Sequence, residues 1–418
     1  MSRIVISFLI FFQMLWSVDA TIDLVKTIQK TPSIQVTYLD NKNTDFAQEI
    51  YRVLLGDLQV TGHFLVREGS KGRRNPDYTE FIQQKTDLYI NIEVLKEDAN
   101  IKVILKLFDV NMQNLVLNKA YTLDDEALYP FVAHKIAIDT NNYIKAPSID
   151  WMKRYVVLSA NVGPRRNDIL ISDYTLTYRK VILNDGLNVF PKWANAEQTE
   201  IYYTKITRDF PIIIKYNIYT GISSEILRGR GLAIVSNVSK DGKKALMTLA
   251  PNGDPDIYLY DFDTKQRIQM TKYRGIDVSG NFIDNDTAMI FVSDRLGYPN
   301  IFTKKLQENA PIEQVVFHGK NNSSVTAYNN YVVYTSRDTN NEFGQNTFNL
   351  YLISMKSDFI RRLTTNGVNQ MPKFSADGGS VMFIKNSGKQ SALGIIRLNY
   401  NKTYLFPLSK IQIQSFDW

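Results

Sequence analysis

Apolar positions along the chain follow two regimes. Between 21 and about 149 the spacing alternates between strand-like and helix-like. Ser33–Leu39 (SIQVTYL) predicts a strand, and Phe46, Ile50, Val53 and Leu54 share one face of a helix over 43–58. Residues 87–95 and 101–110 alternate as a hairpin turning at Glu97-Asp98-Ala99-Asn100, and 115–121 reads as a further strand. Thr122-x-x-Asp125 resembles a weak capping box, and Pro130 falls where the first turn of a helix ending near Tyr143 tolerates it. These elements predict an α+β domain spanning 21–149 with a core of its own. Lys145-Ala146-Pro147-Ser148 marks its junction with the rest of the chain.

Over 150–418 the pattern repeats. Strand-like segments recur at DILISDY, PIIIKYN, DIYLYDF, NIFTKKL, NLYLISM and GIIRLNY, each with another strand ahead of it. With Ile169, Ile213, Ile257, Ile301, Leu350 and Ile395 as equivalents, the spacings are 44, 44, 44, 49 and 45 residues. The longer interval holds a polar insertion over 340–346. A period near ~40–45 residues with several short strands per unit predicts propeller blades. The first unit, at YVVLSA, lacks the strand that precedes this segment elsewhere, and the C-terminal IQSFDW looks like that missing strand. The expected fold is therefore an α+β domain followed by an all-β six-bladed propeller, closed by pairing of its N- and C-terminal strands so that no sheet edge stays open.

The first twenty residues read as an address. Arg3 is followed by an apolar run from Ile4 to Leu15, and Val18-Asp19-Ala20 offers small residues at a cleavage site. A run of ~12 residues is shorter than the ~20 a membrane anchor needs. Residues 1–20 are thus expected to be a signal peptide, removed on export. Composition then narrows the chemistry. The chain has no cysteine, so disulfides, thiolate metal sites and cysteine nucleophiles are excluded. It has only three histidines, His63, His134 and His318, too few for a multi-histidine metal centre. The net charge is +7, and loss of the leader removes one charge of each sign.

Several segments resemble one family. Ser293-Asp294-Arg295-Leu296-Gly297-Tyr298-Pro299-Asn300-Ile301-Phe302 resembles an S-D-R-x-G-x-P-x-I-Y blade core, with a second copy at Pro251-Asn252-Gly253-Asp254-Pro255-Asp256-Ile257-Tyr258. Ser239-Lys240-Asp241-Gly242-Lys243 and Ser375-Ala376-Asp377-Gly378-Gly379 resemble an S-P-D-G-K turn, with Lys240 and Ala376 in place of the proline. Ala133-His134-Lys135-Ile136-Ala137 is similar to an A-H-x-I-A run in the last helix of a preceding α/β domain. Together these resemble the TolB family, periplasmic propellers of the Tol–Pal system. The departures mark a divergent member.

The resemblance implies a non-catalytic periplasmic protein that binds partners. It implies docking of Pal, the peptidoglycan-associated outer-membrane lipoprotein, on loops at one end of the propeller. In this chain the residues chosen for that rim are Arg230, Lys272, Arg274, Asp277, Asn321, Asn322, Asn366 and Asn369, with ordinary polar turns as the alternative. It also implies that the segment after the cleavage site, Thr21, Ile22, Asp23, Leu24, Val25 and Lys26, engages the C-terminal domain of TolA by strand addition. Edging the domain's own sheet is the other reading of that segment. The expected molecule is a monomer, peripheral to the outer membrane through Pal, that supports membrane integrity and constriction at division.

Other chemistry lacks its signatures. No G-x-S-x-G elbow, P-loop, dinucleotide fingerprint or H-E-x-x-H helix occurs. His134 has no nucleophile spaced to use it and reads as a structural helix residue, while His63 and His318 read as loop polars. Asp254, Asp256, Asp261, Asp263, Asp284 and Asp286 lack calcium-loop spacing and read as turn formers. No cofactor is expected, and a cation in the propeller channel is left open. The basic clusters Lys71-Gly72-Arg73-Arg74, Arg165-Arg166, Arg228-Gly229-Arg230 and Arg361-Arg362 are scattered, so no nucleic-acid partner is expected. The rival reading is an exported propeller hydrolase or carbohydrate-binding module, which requires a carboxylate or metal cluster in the channel.

Overall fold

Strand β1 (Ser33–Leu39) is the hub of a five-stranded sheet, because its side chains are buried on both faces. The structure, a computed structural model, describes residues 31–39, 41–74, 76–97, 100–339, 346–388, 390–408 and 411–418. The leader and the segment Thr21 to Lys26 lie outside the described residues. After β1 come α1 (Thr44–Thr61), β2 (Leu65–Gly72), α2 (Tyr78–Gln83), β3 (Leu88–Glu97), β4 (Asn100–Asp109), β5 (Asn114–Leu123) and α3 (Tyr129–Tyr143). The sheet order is β2-β1-β3-β4-β5, with β1 parallel to both neighbours and the rest an antiparallel meander. Helix α1 buries Ile50, Leu54 and Leu58, a stripe at helical spacing, against the sheet and α3.

Local chemistry sets the element ends. Helix α1 stops at Gly62, whose φ of 75° favours glycine, and a Cβ there would lie 2.9 Å from the Tyr400 ring. Pro130 does sit in the first turn of α3. The cap ahead of it is Asp125, which accepts from the Ala127 N–H at 2.9 Å; Thr122 plays no part in it. Sequence periodicity missed β2 altogether. LVREGSKG has no alternating apolar face, and parallel backbone pairing with β1 holds it at the sheet edge, helped by Tyr51 Oη donating to Gly69 O. Lys71 and Gly72 thereby belong to a strand rather than to a loose basic surface cluster.

Among the described residues the remaining strands group into six four-stranded blades. Blade 1 holds Val156–Gly163, Arg166–Ser172 and Arg179–Leu183, with Gln412–Asp417 as its innermost strand. Blade 2 spans Leu187–Trp193 to Ser223–Arg228, blade 3 Ala233–Val238 to Arg267–Gln269, and blade 4 Asp277–Ile283 to Ile312–Gln314. Blade 5 runs from Lys320–Tyr328 to Ile360–Arg362, and blade 6 from Val368–Phe374 to Lys402–Leu408. The six residues set as equivalents by spacing are all fully buried, one in the third strand of each blade. The repeat is thus a repeat of core positions, since each blade must seal against its neighbours.

The C-terminal strand runs antiparallel to Val156–Gly163, with Phe416 opposite Leu158. Hydroxyls stitch neighbouring blades: Ser159 Oγ donates to Asn188 O and Thr204 Oγ1 to Ala233 O, both at 2.7 Å. The core of the first domain is continuous with that of the propeller. One apolar cluster runs from Ile34, Ile90 and Leu105 through Trp151 to Leu158, Met382, Ile395 and Phe416. Residues 32–418 accordingly form one compact unit.

Candidate functional site

Antiparallel blades fix which loops share an end. The link from each outermost strand to the next innermost strand emerges where the second and third strands also turn, and this is the connection end. The blade motif builds it. Arg295 Nη2 lies 3.0 and 2.9 Å from the two carboxylate oxygens of Asp277 and sits over the rings of Tyr273, Phe291 and Phe302. Arg295 Nε also donates to Ser293 Oγ, and Asp294 Oδ1 accepts from Ile276 N–H at 2.9 Å. Gly297 takes a φ of 87°, and Asn300 Oδ1 accepts from Asn322 Nδ2 at 3.1 Å. In blades 3, 4 and 5 a polar residue near the start of the third strand therefore anchors the following connection. Asp256 holds Tyr273 N–H and Thr271, and Asn349 accepts from Thr364 Oγ1. Burial pushes the Asp256 carboxyl above its usual range, partly offset by the Tyr273 N–H.

The residues chosen for the rim divide in two. Arg230, Lys272, Arg274 and Asn366 are exposed, and Asn321 is half-buried beside the Arg337 guanidinium. Asp277, Asn322 and Asn369 are corrected: they are buried, and their side chains are spent inside the blades. Asp277 faces Arg295, Asn322 donates to Asn300 and His318 O, and Asn369 donates to Phe348 O and Asn366 O. They shape the rim from beneath and present nothing to a partner. A polar residue at a turn looks the same in sequence whether it faces water or plugs a connection.

Sequence reasoning also missed apolar groups on this end. Phe210, Leu232, Ile276, Leu296 and Phe317 are exposed on its loops, Phe317 to 81 %, and Val162 is exposed near the end of the strand Val156–Gly163. Basic side chains at Arg208, Arg230, Lys272, Arg274 and Lys320 stand between them. Isolated exposed apolar residues are ordinary, but a set gathered on one rim of rigid loops fits a protein partner. Their signal in sequence was an apolar residue inside an otherwise polar connection.

Two family models match the chain: the TolB beta propeller domain over residues 154–418 and the TolB amino-terminal domain over residues 20–116. The chain belongs to the TolB family. The Tol-Pal system protein TolB of Wolinella succinogenes is 51% identical, with 97% of each chain covered. That of Campylobacter jejuni strain RM1221 is 43% identical across 100% of both. The crystal structure of TolB from Acinetobacter baumannii shares the fold, with a TM-score of 0.78 at 20% identity, over 93% of this chain and 96% of that one.

The TolB-like A-H-x-I-A helix carries the second polar centre. His134 on α3 is fully buried, its Nδ1 2.8 Å from Asp57 on α1 and its Nε2 3.3 Å from Asp173 in blade 1. Tyr174 Oη donates to Asp57, while the N–H groups of Thr175 and Tyr178 donate to Asp173. Burial alone would lower the imidazole, but Asp57 and Asp173 overcome it and raise its pKa to about 9. Burial pushes Asp173 up, and His134 with the Thr175 contacts brings it below its usual value. His134 is thus a structural residue, as its helix position suggested, yet it bolts two domains together. Neither nitrogen is free to act on a substrate. His63 lies in the loop between α1 and β2, but it is buried, and its Nδ1 faces Asn141 Oδ1. His318 is exposed.

Proposed function

We propose that this chain is a periplasmic scaffold of the Tol–Pal system that acts without catalysis. It docks Pal through the connection end and TolA through the segment Thr21 to Lys26. The observation that supports the first contact is the gathering of Phe317, Ile276 and Leu296 with Arg230, Lys272 and Arg274 on loops held by buried polar anchors. Apolar anchors rimmed by charge are what a protein interface uses, and pre-set loops lower the ordering cost of binding. Export by the leader puts the chain where both partners are. It is then a monomer attached to the outer membrane through Pal, supporting envelope integrity and constriction at division. Pull-down from a periplasmic extract with the mature chain tests the proposal. Recovery of a Pal-type lipoprotein and of TolA is the expected result; recovery of neither overturns it.

A further inference from the structure

Along the channel, the six innermost strands surround a cavity of about 150 Å³. At the end away from the connection rim, a second cavity of about 230 Å³ shares Asn281 and Lys373 with it and is also lined by Asn237, Thr326 and Asp417. Where the two meet, Lys192 of blade 2 and Lys373 of blade 6 converge on Asp417 of blade 1. Their ammonium nitrogens lie 3.4 and 3.2 Å from the same oxygen, Asp417 Oδ1. The other oxygen, Oδ2, is taken by the Trp193 N–H at 3.1 Å. All three side chains keep 14 to 16 % exposure, so they are largely withdrawn from solvent yet open to the channel.

The chemistry of this triad is unbalanced. Two ammonium groups carry six N–H donors between them. Among the described residues Asp417 is the single acceptor either one reaches. It is also the only acidic side chain among the described residues that line the two cavities. Burial and the neighbouring Lys373 pull Lys192 down to about 8, against the attraction of Asp417. The hydroxyls of Ser279 and Ser324 line the same cavity on residues with positive φ. A net positive centre inside low-dielectric walls concentrates anions. Such a centre opposes binding of a cation, which the sequence had left open for the channel.

The geometry points to an anion-binding site in the channel, where Lys192 and Lys373 take one compact oxyanion group, a carboxylate or a phosphate. The cavity admits a small group, and its other walls mix apolar side chains such as Phe190, Val278, Met371 and Phe416 with polar ones such as Thr248 and Asn281. The group can be a free ion or the acidic side chain of a peptide inserted at the open mouth. Among the described residues lining the cavities, Asp417 is the one acidic side chain that competes with it.

The test is calorimetric titration of the mature chain with inorganic phosphate and, separately, with a tri-aspartate peptide. Binding of phosphate marks a free-ion site, and binding of the peptide alone marks a site for a partner's acidic residue. Lys192→Met and Lys373→Met are each expected to weaken binding at least tenfold, whereas Lys192→Arg retains it. Asp417→Asn removes the competing carboxylate and is expected to tighten binding at acid pH, where Lys192 keeps its proton without the Asp417 charge, an outcome that simple damage to the fold cannot give. Lys205→Met, at a surface pair with Asp185, serves as the unaffected control. Absence of binding to either probe overturns the site, as does binding unchanged in both methionine variants.

Discussion

Asp57 Oδ2 lies 2.8 Å from His134 Nδ1, both side chains fully buried, and the pair joins two helices that pack against blade 1. A buried pair is costly to break from one side, because the surviving charge keeps its desolvation and loses its partner. His134→Leu strands Asp57 and Asp173 and should destabilise the chain by roughly 3–5 kcal/mol. Denaturant unfolding measures it, and a loss under about 1 kcal/mol contradicts the lock.

The same pair sets a pH dependence. The folded pKa of His134 is about 9, above the unfolded value near ~6.5. Its contribution is therefore complete below about pH 6.5 and is lost as pH rises through about 9. Asp173, held below its usual value, contributes above about pH 4 and loses that contribution in acid. The difference in Tm between the wild-type chain and His134→Asn should be largest near about pH 5–6 and shrink by about pH 9.5. A difference that grows with pH contradicts this.

Asp277 separates two roles for a rim residue. Its carboxylate is fully buried against Arg295, which keeps 21 % exposure. Asp277→Ala should therefore cost about 2–3 kcal/mol, somewhat under the figure for a fully buried pair. The loss should appear in unfolding curves of the protein alone. Unchanged stability with weakened partner binding would show instead that Asp277 touches the partner.

Phe317 and Ile276 test the rim directly. Both side chains are exposed, so charge at either position leaves the core untouched. Phe317→Glu and Ile276→Glu are each expected to weaken capture of a Pal-type lipoprotein tenfold or more, about 1.4 kcal/mol or above, with unchanged Tm. Equal capture by the double variant argues against this surface.

Removal of Thr21 to Lys26 is expected to abolish TolA binding and leave the unfolding transition of the remaining chain in place. Retained binding would assign the TolA contact elsewhere.

Much of the architecture is readable in the residues alone. The alternation in SIQVTYL, the stripe of Ile50 and Leu54, and the 44-residue recurrence of Ile169, Ile213, Ile257 and Ile301 are local patterns. Each reflects one face of an element turning inward, so the residues record the burial directly. The strand β2 lacks such a face and was invisible, since backbone hydrogen bonds carry no side-chain signature.

The binding surfaces were legible only in outline. Sequence picked out the connections but gave Asn322 and Asn366 equal standing, although one is buried and the other exposed. It found His134 without its partners, which lie 77 and 39 residues away. It left Lys192 unremarked, although Asp417 meets it from 225 residues along the chain. The sequence by itself determined the strands and helices that turn an apolar face inward, how often the blade recurs, and that no cysteine or multi-histidine chemistry is present. The tertiary structure decided which polar groups are anchors, which apolar ones face water, and where positive charge converges. The reason is physical: periodicity is a property of neighbours along the chain, whereas burial, pairing and pKa depend on residues brought together from distant parts of it.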